Sequence, residues 1–574
     1  MFIPTTQDEM ASLGWRQLDI ILVSGDTYID SPYNGSALLG HWLIDHGFKV
    51  GIICQPDVKS DTDIMRLGEP ALFWSVSAGC VDSMVANYVP SGKFRKDDDF
   101  TPGGVNNRRP DRACIIYTNL IRRYFKGALV FLGGIEASLR RVAHYDFWSD
   151  SIRRSILFDA KADGITYGMS ELANLELAQR IRDKQDWHDV RGVCYATRDP
   201  PFLYGRLASF DECIANRRSF IQAFRTFYDN CDPVSAIGLS QQNGDRYLVQ
   251  NPPQRHVTSE ELDAIYESDF EYRVHPYYLQ DGPVKAMDTI KNSITTHRGC
   301  YGECSFCAIA VHQGRTVISR SADSIVREAE RISKLPGFNG IIYDVGGPTA
   351  NMWGIDCPMK AKKGPCRDRK CLFPRICPML PVDHSKQIEL LDRIKAIPGV
   401  KKVFVASGIR YDMVVFDDAH GQEYVDAIVK DHVSGQLKVA PEHTDPKVLE
   451  LVGKPEANVL LDFKDMFDES CKRQGKDYYL TYYFMAALPG CGIKAMNDLA
   501  SFCRNELHTH PEQVQVFTPT PSTAATAMYY SGRDFEDGAN VWSEKAYPLK
   551  LQQKEAVTGK QVVGRLKDRF GRKK

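Results

Sequence analysis

The chain has 574 residues, of which 43% are hydrophobic and 25% charged, and its formal net charge is −1. This length predicts more than one domain, and the composition is that of an ordinary globular protein. The near-zero charge gives no sign of a general nucleic-acid or membrane surface. The sequence contains no apolar run of about 18 residues, and its N-terminus lacks the features of a signal peptide. We therefore expect no membrane contact and a cytoplasmic location.

The 16 cysteines are few for the length and concentrate in two stretches, 300–307 and 357–377. Clustering of this kind favours metal chemistry in a reducing compartment over a disulfide framework.

The N-terminal part alternates short apolar runs with helical patterns. The pattern predicts a buried parallel strand at residues 18–23, a helix at 36–45 and a second strand at 48–54. Together these would form a βαβ unit. Further strands are predicted at 71–76, 113–118, 128–134 and 164–168. Residues 1–235 are therefore predicted to be a doubly wound, Rossmann-like α/β domain.

Three loops of this domain are candidates for function. Ligands bind at the carboxyl ends of the strands in such sheets, where the loops 26–35 and 133–141 are expected. The charged loop 91–112 is too long for a routine connection and is either functional or a solvated excursion.

A mixed stretch at 236–285, rich in Gln, Asn, Pro and Tyr, is predicted to be a linker with one short helix near 259–268. Repeated βα units follow and predict a partial or full (β/α) barrel over 286–535. Its strands are expected at 289–299, 338–352, 401–412, 436–444, 478–490 and 514–523. Residues 353–381 form a Cys-rich insertion, and 536–574 are expected to be a basic C-terminal tail.

Cys300, Cys304 and Cys307 follow the first barrel strand with a Cys-x3-Cys-x2-Cys spacing. Thiolates ligate iron–sulfur clusters, and three local cysteines suit a cubane with one iron left free. A free coordination position can bind a small molecule, as open metal sites do. A zinc knuckle with a distant fourth ligand and an inert cysteine-rich loop are the alternatives.

This spacing, with the aromatic Phe306 just before the last cysteine, resembles the signature of the radical S-adenosylmethionine (SAM) enzymes. The resemblance implies a [4Fe-4S] cluster on Cys300, Cys304 and Cys307, with Phe306 among the residues that contact SAM. It also implies that one electron cleaves SAM to methionine and a 5′-deoxyadenosyl radical. An electron donor such as flavodoxin or ferredoxin is expected.

Polar residues at the ends of later barrel strands fit the same chemistry. Gly346 and Gly347 end a strand without side chains, so a ligand can approach closely. Ser407 and Arg410 offer a hydroxyl and a guanidinium, and Glu442 offers a carboxylate. The resemblance assigns the SAM amino group to the glycine turn, the carboxylate or ribose to Ser407 and Arg410, and the ribose or amino group to Glu442. Turn glycines and surface ion pairs are the structural alternatives.

The motifs TPGGVNNRRPDRA, HRGCYGECSFCAIAVHQGRTVISRS, DVGGPTANM, ASGIRYD and LKVAPEHT together resemble the YgiQ family of radical SAM proteins. The match runs from about residue 2 to 550. The family implies a fold and cofactors but no assigned substrate. Relatives often carry a further C-terminal segment, so the tail of this chain is expected to be shortened.

The N-terminal layout resembles the cobalamin-binding domain that precedes many radical SAM barrels. Those domains often ligate cobalt through a His in an Asp-x-His-x-x-Gly loop. The comparable loop here holds Asp30, Ser31 and Gly35 but no His. We therefore do not expect cobalamin, and prefer a domain that positions a substrate or supports the barrel.

A second cysteine group, Cys357, Cys366, Cys371 and Cys377, lies in the Pro-rich insertion. A loop of so little apolar content needs an ordering agent, which zinc or an auxiliary iron–sulfur cluster would supply. Reduced thiols without metal are the alternative. Its cluster of basic residues suits either an RNA or DNA backbone or a solvated face: Lys360, Lys362, Lys363, Arg367, Arg369 and Lys370. The basic stretch 565–574 has the same two interpretations.

The sequence thus predicts a radical SAM enzyme that acts on RNA, protein or a small molecule. A metal- and SAM-binding RNA-associated factor without turnover and a cobalamin-dependent methyl transfer enzyme are the alternative hypotheses.

Overall fold

The computed structural model describes residues 1–366 and 369–559. Its N-terminal half is built on a nine-stranded sheet. In spatial order the strands are Gly205–Arg206, Leu239–Asn243, Arg246–Gln250, Val193–Thr197, Gly164–Thr166, Val130–Gly133, Phe73–Ser77, Ile20–Ser24 and Val50–Cys54. The last five run parallel, which confirms the doubly wound α/β fold class.

The central strands are apolar because helices cover both faces of the sheet. Every residue of Ile20–Ser24 and Val50–Cys54 is buried. The helix between them, Gly35–Asp45, begins at Asn34, whose side-chain oxygen accepts hydrogen bonds from the backbone N–H groups of Ser36 and Ala37. The other long helices of this half are Ala113–Tyr124, Glu171–Arg182 and Arg217–Asp229.

The predicted strand at 113–118 is wrong, because these residues begin the helix Ala113–Tyr124. A short apolar run does not distinguish a buried strand from one face of a helix. The buried side chains of this helix follow helical spacing instead: Ala113, Cys114, Tyr117, Thr118, Leu120 and Ile121.

The predicted linker from residue 236 begins inside the sheet. Strands Leu239–Asn243 and Arg246–Gln250 pair as an antiparallel hairpin that adds to strand Val193–Thr197. Gly244, with φ 64°, permits the tight turn between them. The short helix predicted in this stretch is present as Ser259–Glu267.

The C-terminal half is a succession of parallel βα units. The strands are Ser293–Thr295, Ile341–Ile342 with Asp344–Gly346, Lys402–Val403, Gln436–Glu442, Tyr479–Ala486 and Val514–Val516. Neighbours in this order pair in parallel, with a bridge from Ile409 to Val439 joining the two groups. The major helices are Ala322–Ser333, Ser385–Lys395, Pro446–Val452, Ala457–Gln474, Ile493–Asn505 and Ala524–Ser531. Within the described chain the last strand does not pair with the first, so the barrel is partial.

The predicted C-terminal tail is in part folded onto the barrel. Helix Tyr547–Thr558 buries Gln553, whose side-chain oxygen accepts a hydrogen bond from the backbone N–H of Ala487 at 2.8 Å. The basic stretch 565–574 and Arg367 lie outside the described residues. In the described part of the chain, no helix has both the length and the apolar character that a membrane crossing needs.

A buried ion pair holds the first barrel strand to the helix that follows. Arg320 and Glu328 are 1% and 0% exposed and pair with each other. Arg320 also donates to the carbonyl of Thr295 at 2.9 Å, while Glu328 accepts from the hydroxyl of Tyr272. The pair therefore connects the barrel to the segment that leads into it.

Glu328→Gln should lower the free energy of unfolding by about 3 kcal/mol, because it leaves Arg320 as a buried charge without its counter-ion. Urea unfolding followed by circular dichroism measures this. The matched control is Glu330→Gln on the exposed face of the same helix, which should change stability by less than about 0.5 kcal/mol. Equal effects of the two substitutions would show that the buried pair does not organise this region.

Candidate functional site

The three clustered cysteines lie in one loop directly after strand His297–Arg298. Gly302 stands between two of them: a Cβ placed on it would lie 3.3 Å from Cys300 Sγ and 3.5 Å from Cys304 Sγ. The backbone N–H of Gly302 donates to Cys300 Sγ at 3.3 Å. The backbone N–H of Cys307 donates to the carbonyl of Cys304 at 2.9 Å, which closes the turn. The loop therefore gathers its sulfurs around a residue without a side chain.

Burial raises the pKa of Cys307 to about 12, and it also raises the pKa of Cys300. The free thiols of Cys300 and Cys307 are therefore protonated at neutral pH. A bound metal would take the place of these protons, because thiolates are the ligating form.

Arg410 is brought to the cysteine loop. Its Nη1 lies 3.7 Å from Cys304 Sγ, and the same atom would lie 3.2 Å from a Cβ on Gly302. Nε and Nη2 donate to the two oxygens of Asp412 at 2.8 and 2.6 Å. Burial opposes the charge, yet Asp412 keeps the pKa of Arg410 raised. The two guanidinium N–H groups that could hold a ligand carboxylate, on Nε and Nη2, are therefore already bonded to Asp412.

The glycine turn lies beside the other predicted residues. A Cβ on Gly346 would lie 3.1 Å from the side chain of Ser407, and one on Gly347 would lie 2.6 Å from the ring of His297. The hydroxyl of Ser407 donates to Asp344, which also accepts from the backbone N–H of Ser407 at 3.0 Å. The two glycines therefore let the side chains of Ser407 and His297 pack closely against the end of the strand, while the Ser407 hydroxyl is engaged by a neighbouring carboxylate.

Glu442 ends its strand in a strained, left-handed conformation with φ 65°. It is 4% exposed, and one carboxylate oxygen lies 3.3 Å from the amine of Lys454. The other, Oε2, has no hydrogen-bond partner among the residues that the structure describes. Burial raises the pKa of this carboxyl. Strain and an unpartnered oxygen together mark Glu442 as a candidate ligand-binding group. Phe306, by contrast, is half-buried and packs against the core.

A cavity of about 430 Å³ lies between the N-terminal sheet and the mouth of the barrel. Residues of the loops 26–35 and 133–141 line it from one side, and His297, Arg298, Gly347 and Ser407 line it from the other. Both candidate loops predicted from the strand pattern therefore meet the barrel at one space. The long loop 91–112 takes part indirectly, because its buried Arg109 pairs with Asp26 on the cavity wall.

Sequence reasoning missed the polar residues that join the two halves at this cavity. Arg298 Nη2 donates to Glu171 Oε1 at 2.7 Å, and both side chains are 5% exposed. His312 Nδ1 lies 3.0 Å from the hydroxyl of Ser138. Burial lowers the pKa of His297 to about 3 and that of His312 to about 4, so both rings are neutral. The one local signal was the position of His297 and Arg298 directly before the cysteine loop.

The second cysteine group lies behind the first. Cys357, Cys371 and Cys377 are buried in a small apolar cluster with Tyr301, whereas Cys366 is exposed. The hydroxyl of Tyr301 donates to the carbonyl of Ile355 at 3.1 Å and accepts from the N–H of Cys357 at 3.2 Å. Apolar packing against the cysteine loop therefore helps to order this insertion, in addition to any metal that its cysteines bind.

Lys360 strengthens the contact between the two cysteine stretches. It is 1% exposed and donates to Glu303 Oε1 at 3.2 Å and to the carbonyl of Arg315 at 2.6 Å. Within residues 1–366 and 369–559, no three His, Cys, Asp or Glu side chains converge on a single metal-ion position. A cubane spreads its ligands over separate irons, so its thiolates need not converge on one point.

The family model described as "Radical SAM N-terminal" matches residues 2–293. A UPF0313 protein of Fusobacterium nucleatum is 54% identical, over 97% of this chain and 99% of the relative. A UPF0313 protein of Thermotoga neapolitana is 49% identical, over 97% and 98%. The chain belongs to the UPF0313 family. Because the radical SAM family model matches just over half of the chain, the protein is a radical SAM enzyme.

Among solved structures, the chain is similar to the radical SAM methyltransferase TsrM from Kitasatospora setae, with cobalamin and a [4Fe-4S] cluster bound. The TM-score is 0.50 at 14% identity, covering 88% of this chain and 73% of that one. At this identity the likeness shows a shared fold, with a Rossmann-like domain followed by a radical SAM domain.

Lys360→Met, in the short helix Pro358–Lys363, should uncouple the insertion from the cysteine loop. Glu303 then loses its nearer buried counter-charge and keeps only Arg315, at 3.9 Å. We expect the free energy of unfolding to fall by about 3 kcal/mol, and reconstituted protein to retain less iron per chain. Urea unfolding and iron analysis measure the two effects. Lys362→Met, on the exposed side of the same short helix, is the control and should leave both unchanged. Unaltered stability and iron in Lys360→Met would show that the two stretches are independent.

Proposed function

We propose that this protein cleaves SAM reductively and uses the 5′-deoxyadenosyl radical to modify a substrate in the interdomain cavity. The supporting observation is the loop in which Cys300 and Cys304 crowd Gly302, with Arg410 beside them, at the mouth of a partial barrel. This cradle fits a cluster, because the space that a side chain would fill is bordered by sulfur and by a cation that offsets thiolate charge. We also propose that the chain belongs with the YgiQ radical SAM proteins, whose motifs its sequence resembles.

Cys300, Cys304 and Cys307 would hold a [4Fe-4S] cluster. When bound, such a cluster supplies the one electron that splits SAM into methionine and a 5′-deoxyadenosyl radical. Gly346 and Gly347 would present backbone groups to the SAM amino group, and Glu442 Oε2 would accept a hydrogen bond from that group or from the ribose. Phe306 stays a candidate for contact with SAM. Because Asp344 and Asp412 engage Ser407 and Arg410, we assign these two a positioning role.

The proposed substrate position follows from the cavity, whose barrel wall continues into the cysteine loop through His297 and Arg298. An external donor such as flavodoxin or ferredoxin would reduce the cluster. The hydrogen taken from the substrate would appear in 5′-deoxyadenosine.

Anaerobic reconstitution with iron and sulfide, followed by dithionite and SAM, tests this function. The unsubstituted protein should produce 5′-deoxyadenosine and methionine. Cys304→Ala should fall to the background of a cluster-free sample while staying folded, since the loop lies at the barrel mouth rather than in the core. Cys503→Ala, a buried cysteine on helix Ile493–Asn505, is the matched control and should keep activity.

Two outcomes would contradict the proposal. If Cys304→Ala cleaves SAM at the parental rate, the cluster assignment is wrong. If the unsubstituted protein binds iron and SAM but forms no 5′-deoxyadenosine, the alternative of a non-catalytic, RNA-associated factor is favoured.

A second candidate function is cobalamin-dependent methyl transfer. The observation that favours it is the position of the cavity at the carboxyl ends of the parallel strands, facing the barrel. The histidine nearest in chain to the Asp30 loop, His41, is buried and contacts Asp30 Oδ1 at 2.8 Å, so its ring is engaged within the domain. Corrinoid that copurifies with the protein would support this candidate.

For the second cysteine group we propose metal bound by Cys357, Cys366, Cys371 and Cys377. We favour an auxiliary iron–sulfur cluster over zinc, because the described thiols do not converge on one ion position, as zinc would require. Replacing Cys366 and Cys371 together by Ala should then remove that metal, increase protease cleavage within 353–381 and leave the iron of the Cys300 loop in place. Elemental analysis should find about four iron per chain if the second site holds zinc, and more if it holds a cluster. Unchanged iron and zinc in the double variant would mean that these cysteines are not ligands.

A further inference from the structure

The wall of the interdomain cavity carries buried polar atoms that have no hydrogen-bond partner in the described chain. They are Glu171 Oε2, Asn174 Oδ1, His297 Nε2 and Arg298 Nη1, and all four residues line the cavity. Their exposed fractions are 4%, 1%, 0% and 4%. Buried polar atoms in folded proteins are nearly always satisfied, and each one left without a partner costs free energy. Four such atoms at one cavity indicate a polar ligand.

The residues that carry these atoms line the cavity from both halves of the protein. Glu171 and Asn174 are three positions apart on helix Glu171–Arg182, so they lie on the same face of it. His297 and Arg298 belong to the strand that leads into the cysteine loop. The 2.7 Å contact between Arg298 Nη2 and Glu171 Oε1 holds the two sets side by side.

The hydrogen-bonding capacity of this set is mixed. Asn174 Nδ2 donates to the carbonyl of Ser170 at 2.9 Å, which fixes Oδ1 as an acceptor. Glu171 Oε2 accepts, because a carboxylate has no proton to give, and Arg298 Nη1 can only donate. The site therefore offers acceptors from the N-terminal half beside a donor from the barrel half.

The charges of the cavity wall are already compensated. Asp26 pairs with Arg109, and Glu171 pairs with Arg298. His297 and His312 are neutral, since burial lowers the pKa of each ring. A ligand with a net charge would find no free counter-ion on this wall, whereas a neutral ligand with its own donor and acceptor would satisfy it.

We propose that the cavity binds a neutral ligand through an amide edge, meaning a carbonyl oxygen beside an N–H. The carbonyl would accept from Arg298 Nη1, and the N–H would donate to Glu171 Oε2 and Asn174 Oδ1. A cyclic amide of a nucleobase and a primary carboxamide both present this edge. This inference rests on the proposed function, because it names the chemistry of the substrate held in that cavity.

Matched pairs of small probes test the amide edge on the reconstituted full-length protein. Uracil is paired with 1,3-dimethyluracil, and nicotinamide with N,N-dimethylnicotinamide. In each pair methyl groups replace the N–H donors while the carbonyl oxygens are kept. Isothermal titration calorimetry should show at least one parent amide binding about 10- to 100-fold more tightly than its methylated partner, the range for a hydrogen bond to a charged group. This comparison needs no substituted protein.

Glu171→Gln then identifies the acceptor. Gln keeps the shape but replaces one acceptor oxygen by an NH2 group, so the preference for the parent amide should fall to within about threefold. Glu176→Gln, on the same helix but outside the cavity wall, should keep the full preference. Circular dichroism establishes that both variants are folded.

Absence of binding by both parent amides, or equal binding by parent and methylated probes, would overturn the proposal. So would a Glu176→Gln protein that loses the preference to the same extent as Glu171→Gln. Equilibrium binding needs no SAM cleavage. A protein that forms 5′-deoxyadenosine yet fails to distinguish the probes therefore contradicts only the amide edge, and the converse result contradicts only the proposed radical chemistry.

Discussion

The buried ion pair between Arg298 and Glu171 is the contact on which the arrangement of the candidate site depends. In a parallel sheet all strands deliver their following loops to one edge, and both halves of this protein are parallel in their central strands. The pair lies where those two edges meet, at 5% exposure on each side. Because breaking a buried pair leaves a desolvated charge, it opposes separation of the halves at that point. It also fixes the position of strand His297–Arg298, which leads into the cysteine loop.

The cysteine loop is constrained from behind as well as in front. Tyr301 and Lys360 connect it to the insertion. Tyr301 does so through apolar packing and two hydrogen bonds between its hydroxyl and backbone groups, and Lys360 through a buried ion pair with Glu303. A loop of eight residues that contains a glycine would otherwise have many conformations, and ordering it during ligand binding would cost entropy. Contacts on both sides remove that cost in advance, which is what a site that must hold several ligands at fixed separations requires.

Much of this could be predicted from the sequence, because the relevant signals are local. The Cys-x3-Cys-x2-Cys spacing lies in one loop, and the buried parallel strands are continuous apolar runs such as Ile20–Ser24. The errors occurred where local pattern is ambiguous: the run at 113–118 suits a strand or one helix face, and the hairpin at 239–250 is too polar to stand out. The partners of the site could not be predicted at all. Glu171 and Arg298 are 127 positions apart, and no local pattern relates them.

Contacts that the local sequence pattern does not show also change the roles that we propose for Ser407 and Arg410. Read alone, a hydroxyl and a guanidinium after a barrel strand suggest direct contacts with a ligand. In the fold, Asp344 accepts a hydrogen bond from Ser407, and Asp412 accepts two from Arg410. These donors are therefore already bonded within the protein before any ligand binds. Glu442 shows the opposite condition, since one of its oxygens is buried without a partner and its backbone is held in a strained conformation. A polar group that already has its hydrogen bonds positions its neighbours. A buried polar group without a partner can still form a hydrogen bond to a ligand, and that bond contributes free energy to binding. On this physical ground we propose that the ligand-binding capacity lies with Glu442 and, across the cavity, with Glu171, Asn174 and Arg298.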